Sequence, residues 1–524
     1  MASKTLLFDL PNELFSWIFQ YLSAINLLKT FSDFKSLRLQ ALIQSFISRL
    51  DISQESDEWI QNYLPNILSK HKIIALRLQM NHLVFIPEHL LSANIQSMQV
   101  TKWNALTDLP KQIMVHLRQN LKNLSFVQPD DNEFSDLVSL LFRSDSQLEQ
   151  LIIKDCVLYV FNDDIETCTR LTHLSIELEG LNTVFILIGH LPNLQKLKVK
   201  IQSQECIVQT APNTNGVKPC NKLRSVTFTG WIKYFDHMKS FFATFGSTIE
   251  YLSMNIDTRY YLFDGKGLEH GLLDKMLRLS SLDFIIFSPL ASRDPIEIET
   301  FQSFAWQNFN PIAYWNDVRA EQHMIFTLPY KSNLFEYFSN DFVSNCVSNQ
   351  SVSICFERVH TLSMTPTTPL NLETFLFIEK VFPNVTTIKL IHWIIDLLNE
   401  SEDEQDRNVT VMSEDLLLDT SLQIPSVTKF CINLWSSFND YKVFRRFIQI
   451  FPNLICLELD IELSLLHDIL KYEHEDKFIK IALARIEQLD ITHRDAKNIL
   501  TDAEIYYLFP NVKNLVKHNC CDSG

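Results

Sequence analysis

Apolar residues in this chain fall into short alternating runs separated by longer stretches of helical spacing, and the runs return at a nearly constant interval. Aligning the middle apolar position of each run gives Leu76, Met98, Leu124, Leu151, Leu174, Leu197, Val226, Leu252 and Leu282, spaced 22 to 30 residues apart. After a gap the series resumes at Leu362, Ile388, Phe430, Leu457, Leu489 and Leu515. Within a run such as Leu148-x-x-Leu151-x-Ile153, residues two apart share a face, which predicts a strand with one buried side. Between runs the period lengthens. Met238, Phe241, Phe242 and Phe245 lie at i, i+3, i+4 and i+7, as do Phe444, Phe447, Ile448 and Phe451, and each set predicts a helix with one apolar stripe.

Four units begin with an aromatic residue or Leu followed by Pro-Asn: LPNLQKLKV from Leu191, FPNVTTIKL from Phe382, FPNLICLEL from Phe451 and FPNVKNLVK from Phe509. Proline donates nothing to a helix ladder and pushes the preceding residue out of the α region, so it stops the helix and feeds the next strand. No single unit can bury its own stripe. Neighbours must therefore stack, with strands pairing into a parallel sheet and helices behind it. The expected fold class is α/β, a curved solenoid occupying residues 51–524. Two stretches break the interval. The step from Leu282 to Leu362 makes 283–358 irregular, either drifted units or an insertion, and the 399–408 segment holds an acidic run expected to be a solvated loop.

The repeat resembles the leucine-rich repeat family in its irregular, helix-containing form. Leu148 to Cys156 fits the family motif through its Asn/Cys position, where four other units carry Trp103, Trp231, Trp393 and Trp435; these tryptophans are read as inward-pointing wedges of the core. Ahead of the repeats, residues 1–50 follow a different pattern. Leu14, Ile18 and Leu22 recur on one helical face with Phe15 and Phe19 beside them, Pro11 suits a first turn, Asn26 is placed to cap a second helix, and Leu37 to Leu50 reads as a third. Leu10, Pro11, Glu13, Leu14, Phe15, Ile18, Phe19, Tyr21, Leu22, Leu27 and Leu28 resemble the F-box in place and order. That resemblance implies a small three-helix segment docking on a Skp-type adaptor and, through it, a cullin ligase core, with Leu10, Pro11, Glu13, Leu14, Ile18, Leu22, Leu27 and Leu28 as adaptor contacts. Residues flanking the strand apolars are expected to face an unknown protein target: Glu177, Lys198, Lys200, Thr227, Thr229, Asn255, Lys389, Glu458, Asp460 and Asp490. The rival reading is a leucine-rich-repeat scaffold whose N-terminal helices only cap the first repeat.

Composition narrows the chemistry. The 524 residues include 38 Phe but only 9 Gly, which leaves little material for Gly-rich loops that wrap phosphates. A formal charge of -16 argues against a nucleic-acid backbone or an anionic membrane as partner. No apolar stretch reaches the ~20 residues that span a bilayer. The ten Cys form no Cys-x-x-Cys pair, as expected of buried thiols in a reducing compartment, cytoplasmic or nuclear. No nucleophile elbow, phosphate loop or His-Glu-x-x-His helix is present. The expectation is a non-enzymatic protein with no cofactor and no metal.

Overall fold

The computed structural model describes residues 11–31, 36–87, 95–101, 111–128, 139–158, 165–202, 220–232, 235–258, 264–289, 298–317, 322–350, 354–365, 368–391, 412–433, 440–460, 463–473, 476–493 and 501–519. The Met1–Tyr261 and Gly267–Leu282 segments form one compact unit; Leu262–Lys266 and Asp283–Gly524 form the other. Both are mixed α/β, with strands that are predominantly parallel.

In the first unit the strands are β1 (Arg49–Asp51), β2 (Ala75–Gln79), β3 (Ser97–Thr101), β4 (Asn123–Val127), β5 (Gln150–Leu158), β6 (His173–Leu178), β7 (Lys196–Ile201), β8 (Ser225–Trp231) and β9 (Tyr251–Asp257), neighbours in chain order. All are paired in parallel. The aligned apolar residues form one lateral row: Leu76 pairs with Met98, then Leu124, Leu151, Leu174, Leu197, Val226 and Leu252. Every member is at most 2% exposed. Side chains alternate faces along a strand, so fixing this row inward fixes the polar row outward.

The successive parallel strands are also joined to their predecessors at the same point. The N–H groups of Gln96 and Ser97 both reach the Ile74 carbonyl, those of Thr172 and His173 reach Glu149, and in the second unit those of Thr386 and Thr387 reach His360. The Pro-Asn turns add a second tie. Asn193 donates its amide to the Thr169 carbonyl at 2.6 Å, Asn384 to Glu357 at 2.8 Å, Asn453 to Pro425 at 2.9 Å and Asn511 to Ala484 at 2.6 Å. All four acceptors lie one repeat back. Proline thus ends the helix while asparagine fastens the turn to the coil before it.

The second unit contains β10 (Ser281–Pro289, whose first two residues close the first unit), β11 (Ile312–Asp317), β12 (Gln322–Thr327), β13 (Leu334–Phe338), β14 (Val347–Ser348), β15 (Thr361–Met364), β16 (Thr387–Ile391), β17 (Lys429–Asn433), β18 (Cys456–Asp460), β19 (Gln488–His493) and β20 (Asn514–Asn519). From β13 through β15 to β20 the strands are parallel neighbours, and Leu362, Ile388, Phe430, Leu457, Leu489 and Leu515 again pair in one row. The irregular 283–358 stretch holds an antiparallel β11–β12 pair flanked by β10 and β14, after which β13 restarts the series by pairing Phe335 with Leu362. Phenylalanine fills this unit's core: the Phe335 ring lies 5.1 Å from Tyr330, 5.1 Å from Phe342, 4.9 Å from Phe356 and 5.6 Å from Phe382. The acidic 399–408 segment lies outside the described residues, as do Trp103, Trp393 and Trp435; Trp231, at the end of β8, is half-buried.

Three short helices precede β1: α1 (Asn12–Gln20), α2 (Ala24–Phe31) and α3 (Leu37–Phe46). Two expectations change here. The second helix starts at Ala24, because the Ser23 hydroxyl accepts the Asn26 N–H at 3.2 Å and so takes the capping role expected of Asn26. The third ends at Phe46, and Arg49–Asp51 is a strand paired with β2. The expected boundary at residue 50 therefore falls inside β1, where Leu50 is buried between exposed Arg49 and Asp51 in the alternation of an edge strand.

Candidate protein-docking surfaces

α1 has two apolar faces. Pro11 opens it by accepting the Leu14 and Phe15 N–H groups. Phe15 and Phe19, 3% and 1% exposed, point inward, and the Phe19 ring meets Phe15, Phe31 and Phe46 at 5.6, 5.4 and 5.6 Å. The opposite face carries Leu14, Trp17, Ile18 and Tyr21 at i, i+3, i+4 and i+7, exposed by 46%, 68%, 40% and 87%. Leu37, at the start of α3, is 81% exposed, and the next residue, Arg38, donates to Asn12 of α1 at 2.6 Å. Together Leu14, Trp17, Ile18 and Tyr21 make a helical stripe of large apolar side chains facing water.

These helices are held firmly to the first coil. Lys29 of α2 pairs with Glu55 at 2.8 Å and sits 5.3 Å above the Trp59 ring on α4 (Asp57–Lys70). The Gln44 amide donates to the Lys72 carbonyl at 2.9 Å and accepts the Lys72 N–H at 3.1 Å, clamping α3 to the chain that enters β2.

The expected adaptor contacts divide accordingly. Pro11, Glu13, Leu14 and Ile18 are exposed, Leu22 is half-buried, and Leu10 lies outside the described residues. Leu27 and Leu28 are each 1% exposed, so the placing of these two on an open surface is corrected: they are buried on α2, which packs against α3 and β1. Trp17, Tyr21 and Leu37 are additional members of the surface. The i, i+3, i+4, i+7 spacing of Leu14, Trp17, Ile18 and Tyr21 was the signal for the first two.

The outward sheet faces hold the expected target contacts. In the first unit Glu177, Lys200, Thr229 and Asn255 lie in one lateral row, and Lys198 and Thr227 in the row before it. Glu177 is only 7% exposed. Its carboxylate accepts the Asp155 N–H at 3.0 Å and the Gln202 amide at 2.9 Å and pairs with Lys200 at 3.1 Å. It secures the bulge of β5, where Asp155 takes a φ of 58°. Lys198 and Asn255 are exposed, and the Thr229 hydroxyl donates to the Val199 carbonyl at 3.4 Å.

In the second unit Lys389, Cys431, Glu458 and Asp490 share one row, with Asp460 in the next. Glu458 pairs with Lys429 and accepts the Cys431 thiol at 2.9 Å. Burial pushes the Cys431 thiol well up, and the neighbouring Glu458 carboxylate adds to it. Burial also works to raise Glu458, but the Cys431 and Lys429 bonds outweigh it and hold the carboxyl below its ordinary value. An open crevice of about 940 Å³ lies between the Pro452 and Pro510 turns; there Arg485 donates to the Pro452 carbonyl at 2.7 Å and Glu487 pairs with Lys513 at 2.9 Å. Among the described residues no three His, Cys, Asp or Glu side chains are grouped to hold a metal ion, and no helix is long and apolar enough to cross a membrane.

No protein-family model matches the chain, and no curated protein matches it. Among solved structures it is similar to the crystal structure of the Rad7 and Elc1 complex in yeast, with 14% identity and a TM-score of 0.32 over 80% of this chain and 92% of that one. A likeness this loose carries no argument about function.

Proposed function

We propose that the chain is a substrate-receptor subunit of the F-box, leucine-rich-repeat kind, binding a Skp-type adaptor of a cullin ubiquitin ligase through its N-terminal helices and a protein target through its outward sheet faces. The observation that carries this reading is the outward stripe of α1: Leu14, Trp17, Ile18 and Tyr21 stay in water while Phe15 and Phe19 on the same helix are buried. A helix that only capped the sheet would gain nothing from that second face, since exposed apolar area is unfavourable until a partner covers it. Capping and docking are compatible here because opposite faces perform them. The chain does no covalent chemistry of its own in this reading; it raises the concentration of target beside the transferred ubiquitin, a gain from tethering.

The test is co-purification of the full chain with a Skp-type adaptor, compared with the Leu14→Asp, Ile18→Asp double variant. Binding by the intact chain and its loss in the variant, with melting temperature unchanged, is the expected outcome. An intact chain that binds no adaptor leaves the scaffold reading in its place.

A further inference from the structure

We propose that the outward face of β16–β18 docks an extended segment of the target that carries an acidic side chain four residues from a basic one; this rests on the receptor reading above. Small residues make the floor of this face: Cys431 and Cys456 are 7% and 8% exposed, and Ser363, beside Lys389 on neighbouring β15, is 5% exposed, so a partner backbone can approach closely. At its centre the charges are already satisfied, because Glu458 pairs with Lys429 and accepts the Cys431 thiol. Lys389 on one side and Asp460 on the other are half-buried; neither makes an ion pair or side-chain hydrogen bond among the described residues, and Lys389 acts on Glu458 and Glu336 only through its field, without a direct contact.

Register fixes their separation. Lys389 pairs with Cys431 and Cys431 with Glu458, while Asp460 lies two residues beyond Glu458 on the same strand face. Two strands across and two residues along amount to roughly 12 Å. Same-side residues of an extended chain recur every ~6.7 Å, so positions i and i+4, ~13 Å apart, match the pair. An acidic side chain meets Lys389 and a basic one meets Asp460, each in a partly desolvated setting where opposite charge counts for more than in open water.

The experiment pans a phage-displayed random dodecapeptide library on the full chain and on the Lys389→Glu, Asp460→Lys swap. The expected result is enrichment of acid and base four apart, a reversal of their order on the swapped chain, and at least a tenfold loss of affinity when the swap is offered peptides selected on the original chain. Failure to enrich, enrichment indifferent to the swap, or a helical spacing of seven or eight would each overturn the proposal. Adaptor co-purification of the same two proteins keeps the failures distinct: retained adaptor binding without peptide selection sinks this inference alone, and the converse sinks the adaptor reading alone.

Discussion

Neighbouring positions on α1 should respond oppositely to truncation. Trp17 is 68% exposed and Phe15 3%. A fully buried Trp covers roughly 150–250 Å², so a partner closing over Trp17 removes roughly 100–170 Å² from water, worth about 2.5–4 kcal/mol at ~25 cal/mol per Å². Trp17→Ala is therefore expected to weaken adaptor binding by about 100- to 1000-fold while shifting fold stability by less than about 0.5 kcal/mol. Phe15→Ala opens a cavity beside Phe19 and should lower stability by about 3–5 kcal/mol, yet leave adaptor affinity within a few-fold below the melting transition. Isothermal calorimetry with a Skp-type adaptor, paired with thermal melts of each variant, reads both quantities. The reasoning fails if Trp17→Ala destabilises the fold by more than about 1 kcal/mol, or if it leaves adaptor affinity unchanged.

Phe335→Ala, in the aromatic cluster of the second unit, should cost about 3–5 kcal/mol and lower the melting temperature by about 6–20 °C; Phe304→Ala, at a site 79% exposed, is the control expected to leave it unchanged. Gly230 has a φ of 97°, and an added Cβ would sit 2.1 Å from the Ile201 carbonyl oxygen, so Gly230→Ala should destabilise by at least about 2 kcal/mol in denaturant titration. Glu166 accepts the Ser144 hydroxyl and N–H and pairs with Arg143, which lowers its pKa from 4.5 to about 2. A depressed carboxylate stabilises the fold above its unfolded pKa, and that contribution disappears as pH falls from 4.5 toward 2. Glu166→Gln should accordingly flatten the pH dependence of stability across that window, and an unchanged slope would show that the Ser144 contacts do not persist in solution.

Strand register was legible because the core row is a direct consequence of period 2: once Leu76 or Leu362 faces inward, every equivalent residue must follow. The Pro-Asn turns were half legible. Proline's effect is local and can be read from the residue itself, whereas the asparagine amides find acceptors about a repeat away. β1 escaped because it is three residues long and follows a helix with compatible spacing. The β11–β12 pair escaped because an antiparallel excursion breaks the interval by which the units are recognised. On α1 and α2 the sequence shows which residues are apolar but not which apolar face the neighbours cover. That choice depends on packing against β1 and α3, and it is why Leu27 and Leu28 turn inward while Trp17 and Tyr21 remain in water.

The central claim, that the outward face of α1 is held ready for an adaptor, is tested most directly by covalent footprinting of Trp17 in the intact chain before and after a Skp-type adaptor is added. The account predicts rapid modification of Trp17 in the free chain and strong protection in the complex, with Phe15 protected in both. A Trp17 already shielded in the free chain, or equally reactive with and without saturating adaptor, would contradict it.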